Sequence, residues 1–430
     1  MGRNRLASSP RIILSLFLSA LVTAPYPLGK YFVMFNHAMV YNRYGYALLG
    51  IVLLECIAPV RGLKDIRKQE WMGGVSTGAA LSLTMFLKAN FFFVGVVLIV
   101  VIWPLLDRLG YRRIVGFFIG FGIVSTCVLG YLRFDVAAML SDLRMAAAAR
   151  SGAMSAEQIF GNAVGQASVL MEVVFLAVAI ALLCARRGPQ SLGLKLIAIG
   201  GSLFAGDILI MSSNAQTAGL PLCAVFGILM VSEVTEDYQS TPERELSSRG
   251  PLYAGALFLG ALLFVPQFTS DLASLAFGVR AKRRAPPPTV VLQFTTLNLK
   301  PLALVDGEEL RSNGRVFTSY VNDGVALLER KTSPQQTIIT MDMTNPFSFA
   351  LERRPAKGGI LSPVYNHNLN DAHRPTDDQF FGDADIVMVP RYPSIDDKPF
   401  MDLLDAYQQG LTQRYYLAEQ TVWWRMYRRK

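Results

Sequence analysis

The chain has 430 residues, of which 52% are hydrophobic and only 17% charged, and it carries a formal net charge of +9. A basic balance of this size fits a nucleic-acid protein, but its distribution excludes that class. The segment from Pro286 onward holds 16 Lys or Arg against 17 Asp or Glu, so the excess positive charge lies entirely in the apolar first two-thirds. There it marks membrane topology rather than a phosphate-binding stripe.

A membrane-crossing helix needs roughly 20 mostly apolar residues, because backbone polar groups cannot be left unpaired in hydrocarbon. Runs of this kind are Ile12 to Leu28, Tyr44 to Val60, Gly73 to Leu87, Phe91 to Leu106, Ile114 to Leu132, Ala167 to Cys184, Leu194 to Met211, Leu220 to Ser232 and Pro251 to Phe268. The expectation is a polytopic α-helical membrane domain of about nine spans over residues 1–285. Gly73 to Leu87 and Phe91 to Leu106 are divided only by Lys88, Ala89 and Asn90, which fits either a tight hairpin or one long broken helix.

Cations cluster on alternate loops. Arg3, Arg5 and Arg11, then Arg61, Lys64, Arg67 and Lys68, then Arg108, Arg112 and Arg113, then Arg186, Arg187 and Lys195, and finally Arg244 and Arg249 fall on one side. The opposite loops carry Lys30, Arg43, Lys88, Arg133, Arg144 and Arg150; Arg280, Lys282, Arg283 and Arg284 run against the trend without reversing it. Positively charged loops resist translocation, so the first set is expected in the cytoplasm and the C-terminal part outside, in the periplasm of a Gram-negative cell. The first apolar stretch, ending at Val22, Thr23 and Ala24, resembles a signal peptide, but Pro25 opposes cleavage.

After Asp135 the next long external segment is amphipathic. Val136, Met139, Leu140 and Leu143 share one helical face between Asp135 and Asp142, with Arg144 and Arg150 nearby, as in a helix lying along a membrane surface. Within the apolar runs, Glu55, Lys88, Glu172 and Asp207 need a partner or water, since each charge costs a few kcal/mol at mid-depth. Asp207 precedes Asn214 and Gln216 in a helix ending at the external side, where it either lines a cavity or makes a polar contact between helices, with Lys88 as one partner.

Residues 286–430 alternate strand and helix signals. Thr289 to Leu297, Leu302 to Val305, Thr337 to Met341, Ala384 to Val389 and Tyr416 to Tyr427 read as strands. Phe317 to Leu328 and Phe400 to Tyr415 read as helices. The expected fold is a small extracytoplasmic α/β domain of Rossmann-like character without the glycine fingerprint of a dinucleotide site. Ligands of such sheets favour the carboxyl ends of strands, here Asp342, Asn345, Pro346 and Phe347, and Arg391. Arg353, Arg354 and Lys357 are either an anion grip or a solvated loop. Trp423, Trp424 and Tyr427 either anchor the domain to headgroups or close its core. The cysteines Cys56, Cys127, Cys184 and Cys223 all lie in apolar segments, and the three histidines are scattered, so neither a disulfide framework nor a metal site is expected.

The helix opening Tyr41, Asn42, Arg43, Tyr44, Gly45, Tyr46, the break Lys88, Ala89, Asn90, the polar mouth Asn214, Ala215, Gln216 before Pro221, and the external α/β tail together resemble the later portion of a bacterial GT-C-type glycosyltransferase. The resemblance covers most of the chain but includes no diagnostic motif. It implies transfer of a sugar from a polyprenyl-phosphate donor on the external face of the plasma membrane, with no cofactor. The family's usual carboxylate in the first external loop is missing, since Gly29 to Asn42 contains no Asp or Glu. The resemblance therefore implies either a shortened or split relative, its first helices supplied by a membrane partner subunit, or another carboxylate in that role. Asp135 and Asp142 are the expected bases, Lys88, Arg144 and Arg150 the donor-phosphate ligands, and Asp207, Asn214 and Gln216 the cavity lining. A non-catalytic or glycan-binding subunit and a transporter are the alternatives.

Overall fold

A computed structural model describes residues 5–6, 8–30, 40–58, 66–137, 139–140, 144, 156–184, 192–213, 216, 218–241, 243–283, 293–300, 311–358, 363–365, 369–392 and 397–430. The chain divides into two units, the first comprising Met1–Val136 and Met154–Arg283 and the second Ala137–Ala153 and Arg284–Lys430.

The first unit is a helical bundle: α1 (Ser8–Thr23), α2 (Val40–Ile57), α3 (Ile66–Leu87), α4 (Ala89–Leu105), α5 (Tyr111–Tyr131), α6 (Ala156–Gly165), α7 (Ala167–Cys184), α8 (Leu192–Ser213), α9 (Pro221–Ser240) and α10 (Glu243–Arg283). Side-chain contacts gather the helix termini at two ends. At one end, Arg5 just before α1 pairs with Glu55 near the close of α2 at 2.7 Å. Arg113 at the start of α5 holds Glu70 at the start of α3 at 2.9 Å, and Lys195 in the first turn of α8 meets Asp107 just beyond α4. At the other end, Lys88 after α3 reaches Asn42 at the start of α2, and Asn90 in α4 bonds Ser213 at the end of α8. Among the described residues the helices other than α6 therefore run alternately between these ends. The α3–α4 pair is a hairpin with Lys88 at its tip, which settles the ambiguity left by the sequence.

Among the described residues three helices are long and apolar enough to cross a bilayer: α5, α8 and the Arg249–Arg280 part of α10. The pair α6 and α7 passes together, bent by 60°, while α1 and α4 are shorter apolar helices. Length and composition thus support three or four crossings against the nine expected. The shortfall has a physical source, since α2, α3 and α9 carry charges into their ends (Arg43 and Glu55; Arg67, Lys68 and Glu70; Glu233, Glu236 and Asp237). The last run also continues well past Phe268, to Arg283.

The seam between α3 and α5 is made of glycine. A Cβ on Gly74 or Gly78 would lie 2.1 or 2.0 Å from the carbonyl oxygens of Arg113 and Phe117, and one on Gly116 or Gly120 would strike those of Trp71 and Val75. Two Gly-x-x-x-Gly stripes interlock here, which is how helices approach closely where no hydrophobic effect drives them together. Ser82 and Ser125 extend the seam with a hydroxyl contact of 2.9 Å.

In the second unit, α11 (Arg311–Lys331), β1 (Ile338–Thr340), α12 (Phe347–Ala350), α13 (Asp377–Phe381), β2 (Ile386–Pro390), α14 (Asp397–Arg414), β3 (Tyr415–Gln420) and β4 (Trp424–Arg429) form three layers. The sheet order is β1-β2-β4-β3, with β1 and β2 parallel and the rest antiparallel. Alternation along the strands sorts the core. Ile338, Ile386, Met388, Trp424 and Met426 face Tyr320, Val321, Val325 and Leu328 of α11, while Ile339, Val387 and Val389 face Leu403, Tyr407 and Leu411 of α14.

Two strand expectations fail here. Residues 293–300 form turns, because the Asn322 side chain takes the backbone N–H of Thr295 (2.9 Å) and donates to the Gln293 carbonyl, replacing a strand partner. The remainder of that predicted strand and Leu302 to Val305 lie outside the described residues. The run Tyr416 to Tyr427 is a hairpin rather than one strand, turned at Thr421, whose N–H donates to the Trp424 carbonyl and whose hydroxyl accepts from the Trp424 N–H.

Candidate functional site

Beyond the end of α1, beside the α6–α7 elbow, the bundle opens a cavity of about 620 Å³. Its polar lining comprises Tyr26 and Lys30 beyond α1, Gln166 and Glu172 at and after the α6–α7 elbow, and Gln267 and Ser270 on α10. Val169, Leu220, Leu262, Leu263 and Pro266 supply apolar wall.

This wall is braced from beneath. Arg43, almost wholly buried, donates to the carbonyls of Leu21 (2.9 Å) and Tyr26 (2.7 Å), satisfying chain-end acceptors of α1. Its guanidinium also pairs with Asp271 at 3.0 Å and lies 4.3 Å from the centre of the Tyr26 ring. Gln267 links this buried pair to the cavity by donating to both Asp271 (3.0 Å) and the Tyr26 hydroxyl (3.1 Å). Gly219 closes the opposite wall at φ 86, a left-handed conformation that favours glycine, with Gln267 Oε1 2.8 Å from where a Cβ would stand.

Each residue singled out in the sequence has a definite place or none. Asp207 is fully buried, and its carboxylate accepts the backbone N–H groups of Leu222 (3.2 Å) and Cys223 (3.0 Å). It caps α9 from a neighbouring helix, filling donors that Pro221 at the first turn leaves exposed. The polar contact between helices is therefore real, but its partner is a helix terminus and not Lys88. Gln216 is buried behind the cavity wall, donating to the carbonyls of Ala218 and Gly219. Lys88 is half-buried over the Tyr41 ring, 5.2 Å from its centre, and is not one of the lining residues. Asp135 and Arg144 are exposed. Asp142, Arg150 and Asn214 lie outside the described residues. Among the described lining residues, Lys30 and Glu172 are the charged ones, and neither was assigned a site role from the sequence. Glu172 reads there only as a charge within an apolar run that needs a partner or water; the structure places it in the cavity lining, just past the α6–α7 bend.

Comparison with protein-family models, with curated proteins and with solved structures finds no match for this chain. The site is therefore interpreted from its own chemistry.

In the second unit, the residues at the strand ends are engaged internally. Asp342 is buried and accepts from the Tyr320 hydroxyl and from the Met343 N–H. Burial, reinforced by Asp342, pushes the Tyr320 phenol well above its ordinary pKa. Asn345 accepts from Thr340 at 3.0 Å, and Arg391 donates to the Thr421 carbonyl. Of the Arg353, Arg354 and Lys357 group, Arg353 is buried against Thr332, while Arg354 and the Lys357 N–H hold Asp383. Trp424 fills the core with its indole N–H on the Tyr320 carbonyl, whereas Trp423 packs against Tyr392 at the surface. Among the described residues no group of three or more His, Cys, Asp or Glu is arranged to hold a metal ion.

Proposed function

We propose that this chain is an integral membrane protein of envelope polysaccharide or lipid-glycan assembly, which moves a sugar from a polyprenyl-phosphate donor in a GT-C-like manner. In this reading the nine alternating helices cross the plasma membrane, the end bearing Arg5, Arg113 and Lys195 is cytoplasmic, and the Rossmann-like C-terminal domain is periplasmic. The observation that carries the proposal is the amphiphilic cavity whose described lining holds a cation, Lys30, and a carboxylate, Glu172, beside an apolar wall. A lipid-linked phosphate needs a cation for its head and apolar surface for its chain, and sugar transfer to a hydroxyl needs a base. Lys30 serves the phosphate and Glu172 the acceptor, with Lys88 at the same end of the bundle as a further phosphate ligand.

A second reading, a non-catalytic glycan-binding subunit that works with a membrane partner, has its own support. Two carboxylates at this end are already committed, Asp207 to the α9 terminus and Asp271 to Arg43, which leaves Glu172 as the carboxylate among the described lining residues. The test is transfer by the purified chain in lipid nanodiscs, supplied with short-chain polyprenyl-phosphate hexoses. Turnover that falls by about 10²–10⁴ in Glu172→Gln supports the enzyme. Binding of the donor without turnover supports the subunit, and absence of both removes the proposal.

A further inference from the structure

The geometry points to α6 as an in-plane membrane-surface helix, with the headgroup and acyl boundary of the bilayer as its partner, holding one edge of the cavity. This rests on the proposed membrane setting and adds a contact to it. Successive residues of a helix turn by 100°, and on that wheel α6 has three sectors. Ile159, Asn162 and Ala163 form the first. Ile159 and Ala163 pack against the bundle core, and the Asn162 amide donates to Ser212 in α8 at 2.9 Å. Phe160 and Val164 form the second and are 71% and 58% exposed, a large apolar edge that no described residue covers. Glu157, Gln158, Gly161 and Gly165 complete the third, polar and exposed.

The setting names what covers the apolar edge. The helix is followed directly by α7, an apolar helix, at a bend of 60°, so α6 departs strongly from the axis along which the bundle's helices alternate. A helix with a core side, an apolar side and a polar side, lying across the end of a membrane bundle, matches the requirement of the interface, where the apolar face sinks only ~5–10 Å into the lipid. The bend is hydrogen-bonded rather than loose. The Gln166 N–H donates to the Asn162 carbonyl at 3.1 Å, and Val169 N–H returns to the Gln166 carbonyl at 3.0 Å. Gln166 and Val169 line the cavity, so the depth at which α6 floats fixes that wall.

Nitroxide labels test this in the full chain reconstituted in phosphatidylcholine vesicles. Labels go on Phe160→Cys, Val164→Cys, Glu157→Cys and Phe118→Cys, in a background of Cys127→Ser and Cys184→Ser; Cys56 and Cys223 are buried and unreactive. Collision with oxygen and with a water-soluble nickel chelate reports depth. The expected pattern is shallow lipid exposure at 160 and 164, severalfold richer in oxygen than nickel contact, with the ratio inverted at 157. Phe118, exposed on α5, should read deep in the acyl chains. A water-exposed label at 118 would overturn the membrane setting itself. With 118 deep, aqueous readings at 160 and 164, readings as deep as 118, or labels shielded from both quenchers would each overturn the inference alone.

Discussion

Arg43 and Asp271, separated by 228 residues of chain, meet at 3.0 Å as a buried ion pair with side chains 1% and 0% exposed. Arg249 and Asp271 stand within one long helix, α10, roughly 33 Å apart at 1.5 Å per residue, close to the ~30 Å hydrocarbon thickness of a bilayer. The pair therefore sits in the second half of α10, well before its end at Arg283, and ties it to the start of α2 and the chain just after α1.

Removing one partner should be worse than removing both. Arg43→Met leaves Asp271 charged and unpaired and is expected to cost about 3–5 kcal/mol, whereas Arg43→Met with Asp271→Leu recovers most of it. Thermal unfolding of the purified variants in one detergent measures the difference. A double variant no better than the single would show that Arg43 acts mainly through the Leu21 and Tyr26 carbonyls.

The glycine seam predicts opposite signs within one helix pair. Gly78→Ala puts a methyl against the Phe117 backbone oxygen and should lose about 1–3 kcal/mol. Gly122→Ala in α5 meets nothing within 4 Å and should gain up to about 1 kcal/mol from helix propensity. Parallel melting curves decide it, and equal effects at both sites would refute interlocking.

Asp207→Asn keeps one acceptor for the α9 terminus but loses the charge, so a stability loss of about 1–2 kcal/mol is expected without altered substrate flux. A solute uptake that vanishes in Asp207→Asn while the protein remains as stable as the parent would favour the transporter alternative.

The C-terminal unit has two pH limits. Burial raises Tyr365 to about 12, helped by its bond to Asp371, and Tyr407 and Tyr415 are also raised by burial. The folded unit then holds protons that the unfolded chain releases, so this stability is full below pH 10 and falls as pH climbs toward 12. Asp383 is lowered below its usual 3.8 by the Lys357 N–H and by Arg354, so its contribution is present above that value and disappears as acid titrates it. Tyrosinate absorbance against far-UV ellipticity follows the alkaline limb, which Tyr365→Phe should flatten. An unchanged slope in that variant would exclude Tyr365 as a contributor.

Local pattern made much of this legible. The stripe from Phe317 to Leu328, the β-branched core of β1 and β2, and the polar break at Lys88 each declare themselves over a few residues. What stayed hidden depends on distance. No spacing announces that Asp207 will cap a helix beginning at Pro221, or that Arg43 will find Asp271. The β3–β4 turn lacked the usual Asn-Gly or Asp-Gly signal, since Thr421 supplies the turn through its hydroxyl. Glu172 became a site residue only because an elbow at Gln166 aims its part of α7 into the cavity, and the glycine stripes of α3 and α5 read in sequence simply as apolar length.

The most direct test is photo-crosslinking with a diazirine-bearing polyprenyl-phosphate hexose in native membranes, followed by mapping of the labelled residues. The account predicts adducts on the cavity wall, at Val169, Leu262 or Pro266, that fade in Lys30→Glu. Adducts confined to other helices, or labelling indifferent to Lys30, would contradict it.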